Sequence, residues 1–307
     1  MNFRNFFIRV ASLAMLSGVC LISYGQESEA EKGESVYIAG VSPFILDHGE
    51  VETALTNSLT SYWNIFSAYN VDGEFFSNIY RLSIADHVFN IAYGFSKTGM
   101  WDLGAEFRYT FRRLDDVARN SPFMVYNGDP NSFSGLAYIG LRARAVPFGT
   151  LPNLTVQASV LFPNADKSVR YNLGADRVQL NMFATYYETI DFKLGYFLQG
   201  GWGFHLPGSA SRGLVNAANV AAYLSYNAYT NRIFVIPGLA YSGTFQSDMS
   251  QLAQGVFGIL VLQFQPNTRA SINLQHGLPL LFESHQPQVA FERSSFSSTS
   301  LGIRLLF

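Results

Sequence analysis

The chain has 307 residues, and only 14% of them are charged, against about 25% in an average globular protein. Hydrophobic residues make up 48% and aromatics 15%, with 27 Phe and 17 Tyr, while 26 Gly and many small polar residues hold the mean hydropathy at +0.11. A net charge of −2 gives no electrostatic basis for binding nucleic acid, and one cysteine excludes a disulfide scaffold or a multi-Cys zinc site.

Residues 1–25 read as a cleaved secretory signal peptide. Arg4 and Arg9 give a positive start, residues 10–22 are apolar, and Ser23 and Gly25 are small residues at the −3 and −1 cleavage positions. The apolar run falls short of the roughly 20 residues that a transmembrane helix needs. Cys20 follows Val19, where a lipidation signal wants Gly or Ala, so a lipid anchor is disfavoured. Residues 26–49 carry charges, Pro43 and a weak apolar stretch, and read as a periplasmic extension or a lumen insert.

From residue 50 onward the dominant period is two, the period of strands. Residues 50–63 and 86–96 open the series, with a loop near 64–76 between them. In 101–113, Trp101, Leu103, Ala105, Phe107, Tyr109 and Phe111 share one face, and Asp102, Glu106, Arg108, Thr110 and Arg112 take the other. The alternation continues through 134–147, 153–162, 176–188, 191–203, 217–228, 231–243, 253–264, 269–278 and 296–307. Pro237 falls inside one run and predicts a bulge or local break. Short connections near 97–100, 149–153, 188–191, 228–231 and 265–268 alternate with long ones near 114–133, 163–175, 205–216, 245–252 and 279–293. Short turns on one side and long loops on the other match a transmembrane barrel. The expected fold is all-β: a single antiparallel transmembrane β-barrel over 50–307 of about twelve strands, with ten or fourteen also compatible.

The last strand places Leu301, Ile303, Leu305 and the terminal Phe307 on one face. This pattern resembles the C-terminal insertion signal of Gram-negative outer-membrane β-barrel proteins, a porin- and transporter-like class, without matching one named family. The resemblance implies residence in the bacterial outer membrane, contact with its lipid, and delivery by the barrel insertion machinery. Tyr62, Trp63, Trp101, Tyr187 and Trp202 fall near strand ends and suit interfacial belts.

Sites of chemistry are sparse. His48, His87, His205, His276 and His285 show no metal-ligand spacing. Ser284 and His285 are adjacent without a third group to form a triad. The oxygen-rich loop 114–133 lacks the ordered spacing of a calcium loop. No catalytic, metal or cofactor site is expected, and an enzyme is the least favoured reading. The clearest constellation is Glu106, Arg108 and Arg112 on one strand with Arg142 and Arg144 on the next. Arginine facing lipid costs about 2–4 kcal/mol at the midplane, so these side chains are expected in the lumen, with Glu106 opposite Arg142. They read either as a salt-bridge ladder closing a narrow barrel or as a basic patch favouring anions. The expected function is a channel or transporter for small solutes. The alternative is a non-conducting accessory subunit, with an outer-membrane complex partner or a second copy of the chain.

Overall fold

A computed structural model describes residues 44–69, 75–115, 121–128, 131–170, 172–206, 214–246, 251–284 and 291–307. The signal peptide, with Ser23 and Gly25, and most of the 26–49 extension lie outside the described residues.

Twelve strands close into an antiparallel barrel. In chain order they are β1 (Val51–Tyr69), β2 (Phe75–Gly94), β3 (Trp101–Asp115), β4 (Ser132–Ala145), β5 (Leu154–Pro163), β6 (Gln179–Thr189), β7 (Leu194–His205), β8 (Val215–Tyr229), β9 (Ile233–Gln246), β10 (Gln251–Asn267), β11 (Ala270–Ser284) and β12 (Phe291–Leu306). Each strand pairs with its chain neighbour, and β1 closes the ring on β12 from Glu52 against Leu306 to Phe66 against Phe291. No described helix is long and apolar enough to cross a membrane.

Alternation sorts the side chains as the period of two requires. Leu103, Leu141, Leu198, Val220, Leu239, Leu260, Leu262, Leu274 and Leu301 are exposed on the outer face. Asn90, Asp102, Gln157, Thr185, Gln263, Asn273 and Arg304 are buried on the inner one. Outward apolar and inward polar faces are the signature of a barrel in lipid. Closure leaves no sheet edge where lipid would strand N–H and C=O groups.

The short-turn rim is built by local chemistry. Thr230 and Asn231 both take positive φ, and Arg232 N–H donates to Tyr229 O at 2.8 Å. This is the mirror-image turn whose twist suits a hairpin. Asn227 Oδ1 accepts from Asn231 N–H and fixes the turn. Tyr93, Phe95, Trp101, Tyr226, Tyr229 and Phe307 cluster toward this rim and point outward, with Phe95 and Trp101 stacked. Trp202 stacks on Phe245 toward the opposite rim. Two belt expectations are corrected. Tyr62 faces the lumen near Asp86 and Arg112, and Tyr187 packs inside against Phe197.

The strands on either side of the closure run further than expected toward the long-loop rim. β1 and β2 pair as far as Tyr69 and Phe75, where the sequence reads as loop. Pro237 stays in register with Leu260 of β10. Its ladder to β8 is interrupted between the Gly238–Tyr223 and Val235–Tyr226 pairs, because proline offers no N–H to that side.

Candidate functional site: a two-faced lumen

The lumen begins at the short-turn rim with a network of ions. Glu52 on β1 faces three arginines. Arg142 Nη2 donates to Glu52 Oε1 at 3.1 Å, Arg304 Nε donates to Oε2 at 2.9 Å, and Arg144 Nη1 lies 3.3 Å from Oε1. Arg144 also grips Asp102, with Nε 2.9 Å from Oδ1 and Nη2 2.9 Å from Oδ2. None of the five side chains exceeds 6% exposure. Two strands separate Arg142 from Glu52, and small residues let the side chain reach across them. Glu52, Ala92, Gly104 and Arg142 share one row of the sheet. A Cβ on Gly104 would stand 2.5 Å from the Ile91 carbonyl oxygen.

The chain entering β1 lies against this network. Leu46 N–H donates to Asp102 Oδ2 at 3.2 Å, and the Leu46 side chain is buried. The Phe44 ring meets Tyr187 edge-on at 6.0 Å on the far side of the lumen. Gly49 N–H donates to Gly94 O and Gly94 N–H donates to Glu50 O, and a Cβ on Gly94 would strike Asp47 O at 1.9 Å. Residues 44–49 thus form a strap from β6 to β3 across the short-turn mouth.

Higher in the lumen, Glu106 pairs with Arg108 at 3.0 Å, and Thr110 donates to Asp86. The Arg108 guanidinium lies 5.8 Å from the Tyr138 ring centre. The connection after β5, with a short helix α1 (Lys167–Arg170), folds inward over these groups. Ala165, Leu173 and Ala175 are buried against Ala137, Tyr138 and Leu161. Tyr138 Oη donates to Gly174 O at 3.2 Å and accepts from Gln179 Nε2 at 2.8 Å. Arg112 lies beside Gly174, whose φ of +69° favours glycine.

The opposite wall is apolar. Phe197, Tyr223, Phe234, Ile236 and Val261 form a buried cluster across β7–β10, joined by Tyr187, Ala240 and Ile259. The large rings lie against glycines of the adjoining strand. A Cβ on Gly201 would stand 2.4 Å from the Phe183 ring, and one on Gly238 would stand 2.3 Å from Tyr223. The missing side chains let the rings lie along the wall instead of across the bore.

The sequence-derived patch is therefore partly reassembled. Arg142 and Arg144 face inward as expected, but their carboxylates are Glu52 and Asp102. Glu106 sits opposite Gly140, and Arg142 sits opposite Gly104. Glu52, Asp86 and Arg304 were missing from the patch. Each is a charge on an inward position of an alternating strand, and that position was the available signal. Leu301, Ile303 and Leu305 alternate with the inward Arg304, and Phe307 is exposed at the rim.

A third feature lies outside the wall. After β3 the chain forms a 3₁₀ turn, η1 (Pro122–Tyr126), capped by Ser121. It folds over the outer face of β2 and β3. Asp115 takes Arg81 Nη2 at 2.7 Å and Arg113 Nε at 2.6 Å, and the two arginines donate onward to Ser121 O and Met124 O. Tyr126 packs on Phe111 and His87, and burial pushes its phenol up. Asp115 in the oxygen-rich loop is thus an arginine partner. Among the described residues no group of three or more His, Cys, Asp or Glu side chains converges as a metal site.

No family model matches the chain, and no curated protein matches it. Solved structures do resemble it. An outer membrane channel from Pseudomonas putida F1 superposes with a TM-score of 0.55 at 16% identity, covering 89% of this chain and 100% of its own. The beta domain of a Bordetella autotransporter reaches the same TM-score at 13% identity, covering 84% and 100%. The fold is that of an outer-membrane β-barrel. At these identities the likeness extends to architecture alone, and one barrel architecture serves both a channel and an autotransporter.

Proposed function

We propose that the protein is an outer-membrane channel for small solutes, with its short-turn rim in the periplasm. The two-faced lumen carries this reading. A charged and hydroxyl-lined wall over β11–β4 faces an apolar wall over β7–β10, beneath an inward-folded connection. Twelve strands fall between the side-chain-filled barrels of about eight strands and the open porins of about sixteen. The likeness to the Pseudomonas channel agrees with the reading.

The buried Glu52 network and the strap occupy the periplasmic mouth. Arg142 and Arg144 are held at the mouth by carboxylates, and higher in the lumen Arg108, paired with Glu106, and Arg112 add positive charge beside the inward connection. The outward faces of Leu301, Ile303, Leu305 and Phe307 suit lipid and the insertion machinery. In this reading the barrel needs no cofactor and performs no catalysis.

Purified barrel in a planar bilayer is expected to give steady unitary conductance. Arg108→Ala and Arg112→Ala should then lower its anion-to-cation permeability ratio. The buried network favours one second reading, a non-conducting accessory subunit. Absence of conductance, with a stable partner recovered in mild detergent or a homo-oligomer on sizing, would establish that reading instead.

A further inference from the structure

The outward face of the barrel is not uniform. Across β4–β10 it carries apolar side chains such as Leu141, Met182, Leu198, Val220, Leu239 and Leu260, each 45–66% exposed. Around the closure, over β11, β12, β1 and β2, polar side chains interrupt it. Asn57 of β1 pairs with Leu301 of β12, which is exposed outside, so the two share the outer face. His87 of β2 pairs with Asn57, and its ring nitrogen Nδ1 bonds to Asn57 Oδ1. His276 of β11 comes two residues after the outward Leu274, and its Nδ1 meets Thr299 Oγ1 of β12 at 2.8 Å.

Both pairs lie inside the lipid belt. Asn57 and His87 stand six residues above the rim pair Val51–Tyr93. At about 3.4 Å per residue along strands tilted about 40°, that is about 16 Å into a belt about 25 Å tall. Thr299 stands opposite Leu59, two residues beyond Asn57, and opposite His276. Each strand step toward β11 lowers the row by about 3 Å, so the second pair falls within about 2 Å of the first in depth. The two pairs are only half satisfied. Among the described residues, Nε2 of both imidazoles and the Asn57 amide nitrogen meet no further partner. Hydrocarbon offers none, so each group left facing it costs free energy. η1 borders the patch, where the Tyr126 ring lies 5.9 Å from that of His87.

We propose that this face, from β11 through β2, is a dimer interface whose occupant is a second copy of the chain. A two-fold axis along the membrane normal keeps every residue at its own depth. It therefore sets Asn57, His87, His276 and Thr299 of one protomer against the same four at the same level of the other. Imidazole, amide and hydroxyl groups both donate and accept, so the patch is its own complement, as an isologous contact requires. Polar side chains of this kind join protein segments inside a bilayer because lipid tails cannot replace them. The polar groups of lipopolysaccharide lie above this depth. The contact closes as a pair, since a two-fold uses the patch once on each protomer. The dimer is independent of whether the bore conducts.

The test uses the full-length barrel, purified in mild detergent with lipopolysaccharide present, in analytical ultracentrifugation. The native protein should sediment as a dimer at micromolar concentration. N57L/H87L/H276L/T299V makes the face as apolar as the rest and should raise the dimer dissociation constant about tenfold or more. Apolar side chains facing lipid suit a barrel, so this variant should keep the heat-modifiable gel mobility of a folded one. A second arm uses single cysteines in a Cys20→Ser background, in vesicles, with a short bis-maleimide. Thr299→Cys should link to its own copy, whereas Leu198→Cys on β7, across the ring, should not. This arm decides alone if the fourfold variant fails to fold. A monomeric native barrel overturns the proposal. So does a dimer that survives the four substitutions unchanged, or one that links through Leu198→Cys instead of Thr299→Cys. A different protein captured at Thr299→Cys in place of a second copy overturns the dimer as well.

Discussion

Glu52 holds three arginines away from water, and its removal would leave them uncompensated in a buried place. Breaking a buried ion pair from one side costs about 3–5 kcal/mol. Glu52→Ala should therefore lower the urea midpoint of the lipid-embedded barrel markedly. Glu106→Ala serves as the comparison. Its partner Arg108 is 29% exposed, and a pair that water still reaches is worth about 1 kcal/mol or less. Equal losses in the two variants would contradict the network described here. The sequence made the inward direction of Arg142 and Arg144 legible, because lipid penalises the other face. It did not show their partners. Arg142 meets Glu52 across two intervening strands, through a row set by three successive hairpin registers, and Arg304 reaches it through barrel closure. Closure joins residues near opposite ends of the chain, and no local spacing records it.

At the scale of elements, the pairing of rings with glycines sets the bore. A methyl group at Gly201 or Gly238 would force Phe183 or Tyr223 off the wall. Overpacking of this kind costs about 1–3 kcal/mol, which a barrel tolerates by swinging the ring inward. Gly201→Ala and Gly238→Ala should each reduce unitary conductance while the barrel still resists unfolding at room temperature. Gly200→Ala is the control, because nothing lies within 4 Å of its added Cβ. Unaltered conductance in the first two would show that those rings lie off the conducting path. The alternation made all twelve strands legible, including the one before residue 64. Their upper ends were not. Polar and aromatic residues above the lipid belt no longer separate into two faces, so β1 and β2 read as loop where they continue as a hairpin. The fold of η1 over the outer face of β2 and β3 was hidden for a related reason. Arg81, Arg113 and Asp115 are on outward positions, where only the returning chain of η1 makes charge tolerable.

For the molecule as a whole, the strap couples the entering chain to the ion network through the Leu46–Asp102 contact. Leu46→Asp would bury a carboxylate beside Asp102. Like charges at that range repel strongly where water is scarce. The expected result is a higher open probability in planar bilayers, with single-channel amplitude in the open state little changed. An unaltered open probability would show that the strap does not control the mouth. The extension 26–49 left two readings in the sequence, outside the barrel or inside it. Only residues 44–49 of it are described, and they meet β3 and β6 at the mouth, partly through backbone groups that composition does not reveal.

The unequal strand lengths have a consequence for how the outside world meets this protein. β2 runs twenty residues from its short-turn end and β5 only ten. At about 3.3 Å per residue and about 40° of tilt, the two sides of the barrel differ in height by roughly 25 Å. One side ends near the lipid headgroups, and the other stands above them like a palisade about as tall as the membrane's oily layer is thick. In the channel reading proposed above, a solute arriving from the medium meets the low sill at β5 rather than the tall wall at β2. The first structure it meets there is the inward-folded connection beside Tyr138, so the slope of the rim places that connection at the doorway.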